Sequence, residues 1–168
     1  MLRDIYNGLK DLLTPINGIM WVDWFSQQYN VKEGGRTWTN PAIFIEFEPL
    51  KYENMGNQIQ EFELVFSVHL VNDCYYEGEN RILETDLNHM QMLQDIYTTL
   101  QGAQLQDPST PTEILLNPIA RTSLTPDHAL DSLIVTIQEF KATGIDRSAY
   151  RAKQIIAAPT TNVTFKIQ

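Results

Sequence analysis

The sequence predicts an α+β fold, with two helices packed on one face of a mainly antiparallel sheet that includes a long β-hairpin. Two segments carry apolar residues at helical spacing, and the stretch from Asn40 to Asp73 alternates apolar and polar residues with the period of a strand. The chain has 168 residues, of which 43% are hydrophobic, and this favours one domain with a single core. We therefore expect an α+β domain over residues 1–143 and an extended C-terminal arm over residues 144–168.

The first helix is predicted at the start of the chain, and Thr14-Pro15 is expected to end it because a proline disfavours helical backbone in the residue before it. The segment from Gly18 to Phe25 is rich in strand-forming residues and is predicted as a strand. A Gly-Gly pair marks Asn30 to Asn40 as a loop. The apolar positions of the helix are Leu2, Ile5, Tyr6, Leu9, Leu12 and Leu13.

The stretch NPAIFIEFEPLKYENMGNQIQEFELVFSVHLVND predicts two long neighbouring strands. Alternate residues from Phe62 to Leu70 form an apolar face that we expect to pack under both helices, as the main source of stability at about 25 cal/mol per Å² of apolar area. Turn-forming residues indicate a mobile hairpin tip from Lys51 to Gln58. The opposite face is expected to be solvated or to line a polar space. That face carries Glu46, Glu48, Glu61 and Glu63.

A second helix is predicted before Gly102, which is expected to end it. Thr85 is a candidate N-cap, although the apolar series begins one turn earlier. Strands are predicted over Ile114–Leu116 and Ile119–Leu124, and a last one over Ser132–Ala142. The apolar face of the helix is expected to contain Leu83, Leu87, Met90, Leu93, Tyr97 and Leu100.

After Gly144 the character of the chain changes. Three basic residues are followed by small and polar ones, and a strand-like alternation returns only at NVTFKI. Segments of this kind often pack poorly on their own domain. We therefore expect an arm that becomes ordered on a neighbouring subunit. The three basic residues at its start are Arg147, Arg151 and Lys153.

Composition excludes several classes of function. A formal net charge of -9 argues against non-specific binding to nucleic-acid phosphates or to anionic lipid. The sequence contains no apolar run of about 18 residues, so no membrane span is expected. The N-terminal segment lacks the pattern of a secretory signal. A single cysteine, Cys74, excludes an intramolecular disulfide and favours a cytosolic origin.

No constellation of residues predicts an enzyme, and no cofactor or metal is expected. The best metal candidate is His69, Asp73 and Cys74, but a polar cluster at the end of a strand is the favoured interpretation, since zinc requires three or four ligands in a defined geometry. Cys74 as a nucleophile would need an oriented base. Glu61 and Glu63 share a strand face, but an exposed face does not raise a carboxyl pKa as acid catalysis requires.

Other motifs have similarly plain interpretations. The segment around Asp127, His128 and Asp131 has no serine at a nucleophile elbow and is predicted as a turn, and a phosphate-binding glycine loop is absent from the sequence. Three tryptophans lie near one loop and suggest either a stacking platform for a sugar or base, or the more common use in core and interface packing. They are Trp21, Trp24 and Trp38.

The succession of elements over residues 1–143 resembles the tail-terminator or tail-completion proteins of bacteriophages. The matching pieces are a short first helix, the strand NPAIFIEFE, the long strand QEFELVFSVHLV, one long helix from Arg81 to Gly102 and a closing strand SLIVTIQEFKAT. The resemblance implies a virion structural protein of the tail or neck, assembled in the host bacterial cytoplasm. It also implies a ring, usually hexameric, that caps the tail tube, contacts head-completion proteins and lets DNA pass through its centre.

On this resemblance, carboxylates that line the channel would repel the DNA backbone and keep its transit fast. The lumen-facing candidates are Glu46, Glu48, Glu61 and Glu63, with ordinary solvated surface as the alternative for each. Loops on a rigid sheet carry recognition, so the hairpin tip and the loop from Tyr29 to Asn40 are candidate contacts with tube or neck proteins. The residues concerned are Trp38, Lys51, Tyr52, Asn54 and Met55.

Three alternatives remain open from the sequence. The chain is also compatible with another neck component, such as a connector or stopper between portal and tail. A small bacterial ligand-binding domain or enzyme would need a buried pocket with a perturbed acid or histidine. A cap of a contractile injection system would use the same physics in another host context.

Overall fold

The computed structural model describes residues 1–30, 36–74, 76–77, 80–81, 83–127 and 132–149. These residues form an α+β fold in which both helices pack on one face of a mixed, mostly antiparallel sheet, as the sequence predicts. The elements are α1 (Leu2–Leu13), β1 (Trp21–Trp24), β2 (Ala42–Phe47), β3 (Lys51–Gly56), β4 (Ile59–Asp73), β5 (Tyr76–Glu77), β6 (Asn80–Arg81), α2 (Leu83–Leu100), β7 (Leu105–Asp107), β8 (Thr110–Leu116), β9 (Ala120–Asp127) and β10 (Leu133–Asp146).

The centre of the sheet is the antiparallel pair of β4 and β10, which is in register from Leu133↔Asp73 to Asp146↔Gln60. The strand order is β1-β2-β4-β10-β9, with β1 parallel to β2 and the other pairs antiparallel. β3 pairs with the first part of β4. β7 and β8 form a separate hairpin whose end joins the sheet through the Asn117 amide, which donates to the Thr143 carbonyl at 2.8 Å.

Each helix is held against the sheet by a stripe of buried residues along one face. In α1, Ile5, Leu9 and Leu13 are fully buried at the predicted spacing, and the helix ends at Thr14 as expected. α2 begins at Leu83, two residues before the candidate cap Thr85, which therefore lies inside the helix, and the chain turns at Gly102 with φ +78°. Both helices contribute to the main core beneath the alternate residues of β4 from Phe62 to Leu70.

The predicted face of α2 is partly wrong. Leu87 and Met90 are 56% and 63% exposed, whereas His89 is buried. The reason is that Nε2 of His89 forms a 2.9 Å hydrogen bond with the Thr136 hydroxyl on β10. A polar residue that finds a partner in the sheet can occupy a core position, so the helix is turned about its axis relative to the apolar series. The buried face contains His89, Met92, Ile96 and Leu100.

The expected loop at the hairpin tip is also wrong. Residues Lys51–Gly56 form strand β3, and only Asn57 and Gln58 make the turn, with φ values of 51° and 63°. Two consecutive residues with positive φ are typical of a tight type I′ hairpin turn, whose twist matches that of the strands it joins. Between Phe47↔Phe66 and Lys51↔Glu63 the register shifts by one residue, so β2 and β3 follow each other along the same edge of β4.

A second, smaller core covers part of the other sheet face, which the sequence predicts to be polar. It contains Phe44 and Val71, both fully buried, together with Val135 of β10. The segment between β1 and β2 supplies its lid through Tyr29 and Trp38, each 7% exposed. This face is therefore apolar at one end and polar at the other.

The boundary predicted at residue 143 falls inside a strand. β10 continues through Gly144 to Asp146, and Arg147 lies 3.5 Å from a carboxylate oxygen of Glu113 on β8. The rest of the predicted arm, residues 150–168, lies outside the described residues. Neither described helix combines the length and hydropathy that a membrane crossing requires.

Candidate assembly surface

The four glutamates singled out in the sequence lie together on the sheet face opposite the helices. Glu46 of β2 is level with Ser67 of β4, and the Glu48 amide donates to the Val65 carbonyl at 3.0 Å. Glu61 and Glu63 follow on β4 at the next two positions of the same face. The strand register therefore places all four side chains on one surface, toward the end of the sheet that carries the β3–β4 turn.

Two further carboxylates belong to this surface and were missed in the sequence. Glu53 of β3 lies directly opposite Glu61, and Glu139 of β10 lies directly opposite Ser67. Glu53 was missed because the turn-forming residues of KYENMG indicate a turn, and its apolar residues Tyr52 and Met55 do not alternate with period two. We call the six residues the acidic surface: Glu46, Glu48, Glu53, Glu61, Glu63 and Glu139.

Few cations offset this charge among the described residues. Lys51 lies opposite Glu63, and Lys141 lies opposite Val65 on the same face. Six carboxylates and two ammonium groups give a local formal charge of -4. Burial and the nearby charge of Glu48 raise the pKa of Glu46. The acidic surface therefore concentrates negative potential on one face of the sheet.

β3 borders the acidic surface and is exposed at every residue. It is bonded to β4 on one side, and among the described residues no strand pairs with its other side. The Tyr52 ring lies 6.1 Å from the Phe62 ring, yet Tyr52 remains 44% exposed and Met55 58% exposed. An exposed edge with large apolar side chains is a site where another chain can add by strand pairing.

The predicted partner-contact residues thus separate into two groups. Lys51, Tyr52, Asn54 and Met55 are all exposed on β3 or its bulge and are available to a partner. The prediction for Trp38 is wrong, because its ring packs edge-on against Phe44 at 5.3 Å between centroids and is buried. The Arg36 guanidinium covers the same ring at 4.4 Å.

His69 links the smaller core to the acidic surface. Its Nδ1 lies 2.6 Å from the Tyr29 hydroxyl, and its ring stacks on Phe25 at 4.5 Å between centroids. Nε2 is 3.2 Å from Oε2 of Glu46 but is not in hydrogen-bond geometry with it. Burial lowers the pKa of His69 to about 4. The charge of Asp127 raises this pKa but is the smaller effect, so the imidazole is neutral near pH 7 and shares a hydrogen bond with the Tyr29 hydroxyl.

The structure does not gather the residues considered for metal binding. His69 and Asp73 are four residues apart on β4, which places their Cα atoms about 13 Å apart. Asp73 instead accepts two hydrogen bonds from the Arg36 guanidinium, at 2.8 and 3.1 Å. Within the described ranges, no group of three or more potential ligands is close enough to hold a metal ion.

The tryptophans do not form a stacking platform. Trp24 packs edge-on against Phe47 at 4.9 Å and against Tyr6 at 5.8 Å, on the helix side of the sheet. Trp21 is one residue out of phase with Val22 and points to the other face. Together with the buried Trp38, their arrangement fits packing rather than ligand recognition.

A cleft of about 460 Å³ lies between α2 and the loop before β1. Its walls are mainly amide and hydroxyl side chains, including Asn72, Asn88 and Gln91. His69, the described histidine with a perturbed pKa, does not line it. The cleft and the perturbed group are therefore separate, unlike the usual arrangement of an active site.

Comparison with known proteins adds no relative to this picture: no model of a protein family matches the chain, and no match is found among curated proteins.

Proposed function

We propose that this protein is a structural component of a bacteriophage tail, a tail terminator whose copies close into a ring around a DNA channel. The ring caps the tail tube and offers its other side to head-completion proteins. The observation that carries the proposal is the acidic surface, with six carboxylates on one rigid sheet face beside an exposed edge strand. The order of elements, which resembles that of tail terminators, supports it.

Carboxylates on the wall of the ring would ease the transit of DNA. Duplex DNA carries a dense row of negative charges, and a channel that binds phosphates would hold the DNA back. A wall of carboxylates on a low-dielectric scaffold repels the backbone instead, so that the duplex slides without adhering. A sheet face is suited to this role because strand pairing fixes each side chain in place, whereas a loop would not.

The alternative of another neck component uses the same ring and the same surface, and only the identity of the neighbouring proteins separates the two. The alternative of a ligand-binding domain or enzyme has less support. Neither His69 nor Glu46, two groups whose pKa is shifted, lines the cleft of about 460 Å³.

The assembly step is tested by measuring the mass of the purified chain by light scattering, alone and mixed with tail-tube subunits from the same genome. We expect a closed oligomer with a central opening in negative-stain images, formed by the chain alone or at the end of the tube. A chain that remains monomeric under both conditions, or that attaches to portal rather than tube subunits, would contradict the proposal.

The position of the acidic surface is tested by charge reversal in phage particles supplied with a variant chain. Glu48→Lys with Glu63→Lys reverses two exposed carboxylates of the surface. The matched control is Asp11→Lys with Glu84→Lys, two exposed carboxylates on the helices, with the same change in net charge. We expect slowed DNA ejection for the first pair only. Equal ejection for both pairs would remove the acidic surface from the channel.

A further inference from the structure

Close negative charges beside the edge of β3 favour the binding of a positively charged strand. Glu53 and Glu61 lie directly opposite each other on the acidic surface, where cross-strand side chains are about 5 Å apart and like charges destabilise the pairing. Among the described residues paired in this part of the sheet, the nearest positive side chain is that of Lys51. It lies two residues before Glu53 on β3 and opposite Glu63. A positive side chain added beside β3 would relieve this repulsion.

The same chain carries such a partner in its last residues. Residues 147–168 contain Arg147, Arg151, Lys153 and Lys166 and no Asp or Glu, so their formal charge is +4. Since the whole chain has a net charge of -9, residues 1–146 carry -13. The charge of the molecule is thus divided between an acidic body and a basic C-terminal segment.

The sequence NVTFKI at positions 162–167 matches the two faces of β3. Val163, Phe165 and Ile167 alternate with Thr164 and Lys166, which is the pattern of a half-buried strand. On β3, Tyr52 lies with Phe62 on the helix side, and Glu53 lies on the acidic side. A strand added to this edge would place its apolar residues beside Tyr52 and Lys166 beside Glu53.

The path of the chain favours a partner in another subunit. β10 ends at Asp146, opposite Gln60, with β4 between it and β3. Arg147 then contacts Glu113 of β8, and β8 continues into Asn117, which bonds the flank of β10 away from β4. The C-terminal segment therefore starts on the side of the sheet away from its own β3. Residues 150–161 span about 40 Å at full extension, enough to reach a neighbour.

We infer that residues 162–167 of one copy add as a strand to the free edge of β3 in a second copy, with Lys166 against Glu53. This inference rests on the proposed function in that the ring provides the neighbouring copy. It names the contact that closes the ring: a head-to-tail strand addition in which every subunit is both donor and acceptor.

Disulfide trapping in the full-length chain tests the contact. In a Cys74→Ser background, one chain carries Lys166→Cys and a second carries Glu53→Cys or Lys51→Cys. We expect a cross-linked dimer under mild oxidation when the two chains are mixed, with either β3 position. Glu84→Cys, at an exposed site on α2, is the control and should not cross-link. A chain carrying both cysteines that links only within itself, with no dimer from the mixture, would overturn the inference.

The energetic weight of the contact is tested by Phe165→Asp and by Tyr52→Asp, with Thr160→Asp as the control for an added charge outside the strand. Light scattering should show at least a tenfold weaker self-association for the first two variants and wild-type association for the control. Circular dichroism checks that each variant is folded. If the wild-type chain forms the ring and both test variants form it equally well, this inference fails while the proposed function stands. If the wild-type chain forms no ring either alone or with tail-tube subunits, the proposed function itself fails.

Discussion

At the scale of single residues, Gly144 has the closest neighbours among the described glycines. A Cβ atom at this position would lie about 2.4 Å from Cζ of Phe62 and 2.5 Å from the Leu115 carbonyl oxygen. The first neighbour is a fully buried ring and the second is backbone, so neither can move cheaply. The glycine lets the β8 segment cross close above β10, and this crossing attaches the β7–β8 hairpin to the sheet.

We therefore expect Gly144→Ala to lower the free energy of unfolding by about 2 kcal/mol, in the range that overpacking of a core costs. Urea denaturation followed by fluorescence measures it. Gly8→Ala is the matched control, because its Cβ would meet only the Leu105 side chain, at 3.1 Å, and alanine favours a helix. A loss for Gly144→Ala no larger than that for Gly8→Ala would show that the crossing is looser than described.

His69 predicts a dependence of stability on pH. Its pKa is lowered from 6.5 to about 4 by burial, so below pH 6.5 the unfolded chain takes up a proton that the folded chain does not. The His69 contribution thus destabilises the fold as the pH falls from about 6.5 to 4, by up to about 3 kcal/mol, and is absent above pH 6.5. Replacing the imidazole with a group that does not titrate removes this slope.

The measurement compares wild type and His69→Gln by urea denaturation at several pH values. The stability difference between them should narrow as the pH falls from 6.5 to 4 and stay constant above 7. Glu46 and Asp127, the carboxylates that act on this cluster, are present in both proteins and cancel in the comparison. A difference independent of pH would mean that His69 is protonated as easily in the folded chain as in the unfolded one.

At the scale of elements, periodicity predicted what each segment is better than where its side chains point. Helix α1, the strands β2 and β4, and the α+β class followed directly from period and spacing. The face of α2 did not, because a hydrogen bond between His89 and Thr136, which are 47 residues apart, fixes its rotation. β3 was mistaken for a turn because Asn54, Gly56 and Asn57 are turn formers, and only the pairing with β4 makes the segment a strand.

The rotation of α2 gives a contrast between two apolar residues of one helix. Ile96 is fully buried and Met90 is 63% exposed, although both belong to apolar residue types. We expect Ile96→Ala to cost about 2–5 kcal/mol of stability, as for other buried aliphatic residues, and Met90→Ala to cost less than about 0.5 kcal/mol. Thermal unfolding measures both. Equal losses would mean that Met90 is covered in solution by another chain.

At the scale of the whole molecule, the sequence was enough to predict the glutamates of the candidate site on β2 and β4, but not the contacts between distant segments. Alternation in β2 and β4 was enough to place Glu46, Glu48, Glu61 and Glu63 on one face. The burial of Trp38 and the joining of Glu139 to the surface depend on contacts between distant segments, which no local pattern reveals. The smaller core was missed for the same reason, since Phe44 and Val71 stand in positions that alternation assigns to water.

The basic C-terminal segment is expected to contribute little to the stability of its own subunit. Among the described residues, both cores are complete before residue 143, so we expect that removing residues 150–168 leaves the thermal midpoint of the isolated chain unchanged within about 2 °C. Differential scanning calorimetry of dilute samples of both chains compares them. A large drop in the midpoint would place the segment on its own subunit and not on a neighbour.

The position of β10 also has a consequence for synthesis on the ribosome. β4 lies at the middle of the sheet, and its partner β10 is translated 60 or more residues later. The two strands are packed together in the native fold, where Phe66 stacks on Phe140 at 5.5 Å between ring centroids. Until Leu133 and its successors leave the exit tunnel, the nascent polypeptide presents one flank of a fifteen-residue strand unpaired. Polypeptides released early, by a stop codon or a stalled ribosome, should therefore be clients of chaperones and proteases and not partly working proteins.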